Sequence, residues 1–387
     1  MMLPSLVTLL SVGSMATAAP TTMNARDAVS RRLLIGGPSQ ILAVDFNGTS
    51  FEVVGKNVTS GAAPSWMRLK SSTKTLYAVD ENTSNLNQFK LDDTKLSYTS
   101  SVTGSAGVVF LEFNKDQTRM VGAAYGSGMI DVWDVSADTP KILKQVKVEG
   151  ALGPNQKIHH PHQALLDPTG RFMIIPDLGG DQILVLDTKD DKYEITKTVS
   201  LFAGAGPRHG GFITSGNNTF YTLACELSNK VILFQVDYTG DELAFKEIST
   251  QSTYGAEFPP ANATSAAAGT VAIANNKDVY ISNRLSGNAT DSISHFVFDA
   301  KTTSLNFAHT ASSHGILPRD ISLSIDKDQS LLFVANQGGD NGLVALHRCP
   351  VTGRLDATPV AAKSLAELVA PGMEKEANAG PQFVQEI

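Results

Sequence analysis

The feature of this sequence that most constrains its fold is a phrase of short apolar strands that recurs along the chain. Three clear copies span residues 162–187, 209–237 and 320–346. Each copy contains an apolar strand, a polar turn, a second apolar strand with a polar end, another turn and a third strand. A period of roughly 45–60 residues with several short strands per unit is typical of a β-propeller blade rather than a helical solenoid.

The repeat predicts seven units and a closed ring. Six inner strands are expected to begin near Ser65, Gly107, His162, His209, Gly269 and Asp320. The first unit has no inner strand before it, and residues 381–387 at the C-terminus are the candidate to supply one. Pairing of this segment with the first unit would close the ring and remove the exposed sheet edges. The alternative is that residues 381–387 form a disordered tail.

The predicted fold class is therefore all-β, a seven-bladed β-propeller of four-stranded antiparallel blades closed by the C-terminal strand. It is expected to cover residues 33–387 as one domain, because neighbouring blades share one continuous core. The pattern also predicts one helix, over residues 363–369, and one long loop, over residues 254–268.

The N-terminus predicts secretion. Residues 1–18 resemble a signal peptide, with a short apolar run and a small-x-small motif that ends at Ala18. The run is too short to span a bilayer, so no membrane span is expected. Residues 19–32 would form an N-terminal extension, and its Arg31-Arg32 pair marks either a processing step or a basic surface.

Six Asn-x-Ser/Thr sequons agree with an extracellular or cell-wall location. The candidate glycosylation sites are Asn47, Asn57, Asn82, Asn217, Asn262 and Asn288.

Charge and cysteine content argue against a nucleic-acid-binding protein and against a disulfide-stabilised one. The formal net charge is −7, and the absence of a basic stretch argues against a nucleic-acid partner. The two cysteines, Cys225 and Cys349, lie in units that should not adjoin, so both are expected to be reduced and buried.

Residues with chemical potential concentrate where the predicted inner strands begin. The segments are HHPH (159–162), GAGPRH (204–209) and LPRD (317–320). A second set follows the end of the second strand of successive units, and it consists of Glu81, Leu178, Glu226, Arg284 and Gln337. An ordinary blade tolerates any polar residue at this position, whereas here the set holds two carboxylates and a guanidinium. By contrast, Asp177, Asp181 and Asp340 are interpreted as turn residues.

The phrases HPH–DPTGRF–DLGGD, GPRH–EL and SNR resemble the lactonase propeller family, which includes 6-phosphogluconolactonases and fungal 3-carboxy-cis,cis-muconate cyclases. The resemblance covers residues 33–387 and is strongest over residues 160–356. It implies a catalytic group of His162, Arg208, Glu226 and Arg284. His160, His209, Arg319 and Glu81 are further candidates for substrate binding, with Tyr125 as a weaker one.

Independently of the family resemblance, these residue types suit lactone chemistry. Arg side chains can hold a carboxylate and stabilise developing oxyanion charge, and His162 or Glu226 could move the proton. No GxSxG motif is present, which favours direct acid–base chemistry over a covalent intermediate. No cofactor is expected. A metal on His159, His160 and His162 is not expected either, because no matching Cys or carboxylate cluster accompanies them.

Three functions stay open at this stage. The first is a secreted lactone-processing enzyme, either a cycloisomerase or a hydrolase, acting on a small anionic lactone or carboxylate. The second is a secreted or wall-associated glycoprotein whose surface serves adhesion or recognition of a cell wall or host, because fold does not imply function. The third is a non-catalytic binder of a small carboxylate.

Overall fold

The computed structural model describes residues 30–240, 242–255 and 258–387. The predicted signal peptide, residues 1–18, lies outside the described residues, as does most of the predicted extension. The first strand begins at Arg31, two residues before the expected domain boundary.

Seven four-stranded antiparallel sheets form the described chain, which confirms the predicted fold class. From the channel outward, blade 1 has β28 (Phe383–Glu386), β1 (Arg31–Gly37), β2 (Gln40–Phe46) and β3 (Phe51–Val58); in the same order, blade 2 has β4 (Met67–Lys70), β5 (Thr75–Val79), β6 (Asn85–Asp92) and β7 (Lys95–Thr103). Blade 3 has β8 (Val108–Phe113), β9 (Arg119–Ala124), β10 (Met129–Asp134) and β11 (Lys141–Lys147); blade 4 has β12 (Leu165–Leu166), β13 (Phe172–Asp177), β14 (Gln182–Asp187) and β15 (Glu194–Ser200). Blade 5 has β16 (Pro207–Ser215), β17 (Asn218–Cys225), β18 (Lys230–Thr239) and β19 (Glu242–Ser252). Blade 6 has β20 (Ala267–Ala274), β21 (Asp278–Arg284), β22 (Ser292–Asp299) and β23 (Ser304–Ser312); blade 7 has β24 (Ile316–Leu323), β25 (Leu331–Gly338), β26 (Asn341–His347) and β27 (Ala361–Ser364).

The C-terminal strand closes the ring as predicted. Strand β28 pairs antiparallel with β1, with Leu33 opposite Glu386 and Gly36 opposite Phe383. At the end of this ladder Arg31 Nη1 donates to Glu386 Oε1 at 3.0 Å. The first and last described segments of the chain therefore share one blade.

The burial of each strand follows its place in the blade. The middle strands β13 and β14 are buried along almost their whole length, because both of their faces pack against neighbouring blades. The outermost strands β11 and β15 are largely exposed. This arrangement places the apolar core between blades and leaves the inner strands to line a central channel.

Register breaks in the inner strands decide which side chains face that channel. In β8, β16 and β24 one extra residue interrupts the ladder, and the extra residues are Val109, Arg208 and Arg319. A β-bulge re-aims the side chain at the bulge without ending the strand. Two of the predicted site residues thus owe their positions to the same local irregularity in blades 5 and 7.

Two predictions about local structure were wrong. Residues 363–369 do not form a helix: Ala361–Ser364 is the outer strand of blade 7, and a single 3-10 turn, Leu365–Glu367, follows it. Pairing with β26 completes the blade and overrides the local helix preference. Cys349 is only half-buried, although Cys225 is buried and both are free thiols as expected. A second 3-10 turn covers Lys189–Asp191.

The sequons differ in accessibility. The Asn side chains are exposed at Asn47, Asn82, Asn217, Asn262 and Asn288. Asn57 is half-buried, and its amide donates to the carbonyl of Leu96 at 3.3 Å. Within the described ranges no helix is long and apolar enough to cross a membrane.

Candidate active site

The predicted site residues meet at the end of the channel where the inner strands begin, which we call the upper end. A small cavity at this end is lined by residues from six blades: Ser65, Val109, His162, Arg208, Arg319 and Gln382, with Trp66 and His209 beneath them. The first six residues occupy similar places at the start of their inner strands. Repetition of one position around a propeller therefore creates a single site from distant parts of the sequence.

Two arginines share one carboxylate beside this cavity. Arg208 Nε lies 2.9 Å from Glu226 Oε2, and Arg284 Nη2 lies 2.8 Å from the same oxygen. The Arg208 side chain is 3% exposed and that of Glu226 is 23% exposed, so Glu226 is the more accessible member of the pair. The hydrogen-bonding capacity of the guanidiniums is not used up, because Arg208 Nη1 and Arg284 Nε have no hydrogen-bond partner among the described residues.

A second ion pair crosses the channel mouth. Arg319 Nη2 in blade 7 lies 2.5 Å from Glu81 Oε2 in blade 2, with blade 1 between them in the ring. Both predicted binding residues are therefore present at the site, paired with each other. Three guanidiniums and two carboxylates give this end of the channel a net charge of +1.

The histidines form the wall between blades 4 and 5. The His162 and His209 ring centroids lie 5.0 Å apart in a T-shaped arrangement. His160 stacks on Tyr125 at 4.2 Å, and its Nδ1 lies 2.7 Å from the Tyr125 backbone carbonyl oxygen. His160 thus orients Tyr125, whose ring centroid is 5.4 Å from that of His162.

Burial and the neighbouring guanidiniums set the protonation states. Burial first, and the charge of Arg208 second, hold the pKa of His162 well below its ordinary value, and the same causes lower the pKa of His209. Both imidazoles are therefore neutral at pH 7. Burial alone would raise the pKa of Glu226, but Arg284 and Arg208 outweigh it and keep this pKa below its ordinary value. Burial lowers the pKa of Arg208 to about 9, which still leaves it charged at neutral pH.

Two aspartates that the sequence suggested as turn residues also hold the site loops. Asp177 Oδ1 accepts the backbone N–H of His160 at 2.7 Å. Asp181 accepts the N–H groups of Gly204 at 2.7 Å and Gly206 at 2.8 Å. Gly206 has φ +60°, and a Cβ there would come within 2.3 Å of the Leu227 side chain, so only glycine fits this turn before Arg208.

Sequence reasoning missed Ser65, Val109 and Gln382 as cavity residues. They carry no ionisable group, so nothing in their chemistry marks them. They could have been found from their position, because each lies at the same place at the start of its inner strand as His162 and Arg208 do.

The fold and the site together define a seven-bladed β-propeller with a cationic cavity at one end of its channel. The sequence model of the family described as "Lactonase, 7-bladed beta-propeller" matches residues 32–366. The chain belongs to this lactonase family, as the motif resemblance predicted.

Individual relatives agree with that membership. A protein of Arthroderma benhamiae named "Probable 6-phosphogluconolactonase" is 32% identical over 255 residues, which cover 63% of this chain and 63% of that protein. The match thus spans less than two thirds of the relative's length.

Solved structures confirm the architecture. The periplasmic gluconolactonase of Pseudomonas aeruginosa superposes with a TM-score of 0.76 at 21% identity, over 92% of this chain and 99% of that one. A protein of Lactobacillus plantarum gives a TM-score of 0.76 at 20% identity, over 93% of this chain and 100% of that one. At such identities the likeness shows the fold alone.

Proposed function

We propose that this protein is a lactone-processing enzyme whose substrate is a small lactone that carries a carboxylate, or the corresponding open acid. The observation that supports this proposal best is the pair of guanidiniums around Glu226 next to the neutral His162. Family membership supports the reaction class, and the name of the Arthroderma benhamiae relative points to the same chemistry.

The charge of the site favours an anion. The cavity lies inside a chain of formal net charge −7, yet the five ionised groups around it sum to +1. A positive cleft with low-dielectric walls concentrates anionic ligands. The guanidiniums of Arg208 and Arg284 are suitable donors to a carboxylate or to an oxyanion.

The protonation states separate the roles of His162 and Glu226. Glu226 is an ionised carboxylate stabilised by two cations, so it is a weak base and serves to position the guanidiniums. His162 is held neutral by its burial and by the charge of Arg208, and it lines the cavity. It is therefore the group in this proposal that accepts and returns the proton.

In the hydrolytic direction water adds to the lactone carbonyl carbon, and His162 takes one proton of that water. Arg208 and Arg284 stabilise the negative charge on the former carbonyl oxygen. The ring C–O bond then breaks, and the leaving alkoxide takes the proton from His162. A cycloisomerase would use the same cations to hold a substrate carboxylate whose oxygen adds to a double bond. The neighbouring carbon would then take up one proton, which comes from water by way of His162.

A panel of substrates assayed with purified protein tests this proposal. It comprises gluconolactone, 6-phosphogluconolactone, a carboxylate-bearing γ-lactone and 3-carboxy-cis,cis-muconate. The wild type should turn over a carboxylate-bearing member fastest. His162→Ala should lower kcat by about 100-fold or more, the usual contribution of a general base. Arg208→Ala should raise KM and lower kcat/KM.

Exposed residues of the same types provide the controls. His347→Ala and Arg354→Ala lie away from the channel and should keep wild-type kinetics. If no lactone or muconate is turned over by the wild type, or if the His162 and Arg208 variants match these controls, the enzymatic proposal is wrong.

A second proposal is a secreted glycoprotein that acts through its surface, and five exposed sequon asparagines favour it. Cleavage after Ala18 and a glycosidase-sensitive mass would support secretion. A protein that begins at Met1 and shows no mass shift would contradict it.

A further inference from the structure

Two of the three guanidiniums at the upper end follow the same local backbone. Arg208 and Arg319 each come after a proline, and each is the extra residue of a β-bulge. The residue before the proline has a left-handed conformation in both strands, with φ +60° at Gly206 and φ +57° at Leu317. Glycine adopts this conformation freely, but leucine rarely does, so its surroundings must hold the backbone at Leu317.

A buried aspartate of the preceding blade holds this backbone in each case. Asp181 Oδ1 accepts the Gly206 N–H at 2.8 Å, and Asp291 Oδ2 accepts the Leu317 N–H at 2.8 Å. The two aspartates are 6% and 2% exposed, and each stands directly before the third strand of its blade, β14 or β22. The same contact is therefore made at equivalent places, from blade 4 to blade 5 and from blade 6 to blade 7.

Asp291 also holds the backbone next to the third guanidinium. Its Oδ2 accepts the Leu285 N–H at 3.1 Å, and its Oδ1 accepts the Ser286 N–H at 2.9 Å. Leu285 follows Arg284 directly and is a second leucine with φ +57°. One buried side chain thus fixes the segment that follows Arg284 and the segment that precedes Arg319.

The contacts of these guanidiniums depend on where their backbone lies. Arg284 Nη2 donates to the Ala268 carbonyl at 3.1 Å as well as to Glu226, and Arg319 reaches across the ring to Glu81. A displacement of about 1 Å is enough to spoil such a geometry. Release of the segments beside the arginines should therefore disturb the site without any change in its own side chains.

Blade 3 has a similar aspartate but no arginine. Asp131 is fully buried and accepts the Ser105 N–H at 2.5 Å and the Ser105 hydroxyl at 2.6 Å. Ser105 precedes the bulged strand β8, in which the extra residue is the uncharged Val109. The effect of losing such an aspartate on the fold can therefore be measured apart from its effect on a guanidinium.

We propose that Asp181 and Asp291 are positioning residues, which fix Arg208, Arg284 and Arg319 for an anionic ligand by holding the backbone beside them. Neither aspartate would contact the ligand. The proposal rests on the proposed function in one respect, namely that these guanidiniums bind the carboxylate of the substrate.

Crystal structures of Asp181→Asn and Asp291→Asn test the positioning itself. Asparagine keeps the size of the side chain but replaces one acceptor oxygen with an NH₂ group, which cannot accept a backbone N–H. We expect a displaced Arg208 in the first variant and a broken Arg319–Glu81 pair in the second. Asp131→Asn is the matched control and should leave all three arginines in place.

Adipate, a saturated dicarboxylate that cannot cyclise, tests the consequence for binding, with its neutral dimethyl ester for comparison. By calorimetry, Asp181→Asn and Asp291→Asn should each weaken adipate binding about tenfold or more, because the guanidiniums no longer meet the carboxylate together. The affinity for dimethyl adipate should not change. Asp131→Asn should bind adipate as the wild type does, even where its melting temperature falls as far as that of the other two variants.

Arginines that keep their positions in both site variants would overturn the proposal, and so would an equal loss of adipate affinity in all three variants. If the wild type does not bind adipate, the proposed function is contradicted, while the crystal structures still decide whether the aspartates position the arginines. The two site variants lie in different blades, so if one of them does not fold, the other provides the same test.

Discussion

The neutral and charged states of single residues carry most of the functional argument. His162 is neutral because it is buried beside Arg208, whereas Glu226 is ionised because two guanidiniums flank it. From the sequence, either residue was a candidate for proton transfer. Only their surroundings distinguish them, and those surroundings come from three different blades.

Asp320 shows how a buried carboxyl group in the channel wall couples stability to pH. Burial raises the pKa of Asp320 to about 7. In the unfolded chain an aspartate titrates near 3.9. Between about pH 4 and pH 7 the unfolded chain therefore loses this proton while the folded protein keeps it, so the stability contributed by this group falls as pH rises.

Asp320→Asn removes that titration while its amide oxygen can still accept the Val384 N–H. The stability of the variant relative to the wild type should thus increase by about 3–4 kcal/mol between pH 4 and pH 8. Urea unfolding at pH 4, 6 and 8 measures the difference, with the exposed Asp116→Asn as control. A difference that stays constant with pH would mean that Asp320 is ionised throughout this range.

At the scale of strands and turns, the sequence predicted the order of elements well and their fine register poorly. Period, turn residues and apolar runs located the inner strands to within a few residues and identified the closing strand β28. The bulges at Arg208 and Arg319 were not predictable from alternation, because one extra residue reverses the face on which each later side chain lies. Both bulges occur at a Pro-Arg dipeptide, in β16 and in β24, and this shared dipeptide is the only local sequence feature that marks them.

The same limit explains the two wrong local predictions. The Leu-Ala-Glu sequence at residues 365–367 favours a helix on propensity, but blade 7 needs a fourth strand just before it. Burial of Cys349 depended on a loop whose path the repeat does not fix. The pairing of Arg319 with Glu81 could likewise not be predicted from the sequence, because it depends on how the closed ring brings blades 2 and 7 together.

At the scale of the whole molecule, the propeller is a channel with two chemically different ends. The upper end collects charged side chains from the starts of the inner strands. The wider cavity at the other end collects mostly apolar ones from further along the same strands, among them Phe212, Val271 and Ile273. Trp66, Phe110 and Phe383 form an aromatic layer between the two ends. An acidic protein can thereby present one small cationic site without becoming a general polyanion binder.

Binding of a carboxylate-bearing lactone in the upper cavity is the central claim about this protein. A crystal structure with such a lactone, or with its open hydroxy acid, tests it directly. We predict that a ligand oxygen lies within hydrogen-bond distance of both Arg208 and Arg284, with the lactone carbonyl carbon or the carboxyl carbon derived from it next to His162. A ligand ordered only at the other end of the channel, or an upper cavity that stays empty at saturating ligand, would contradict this claim.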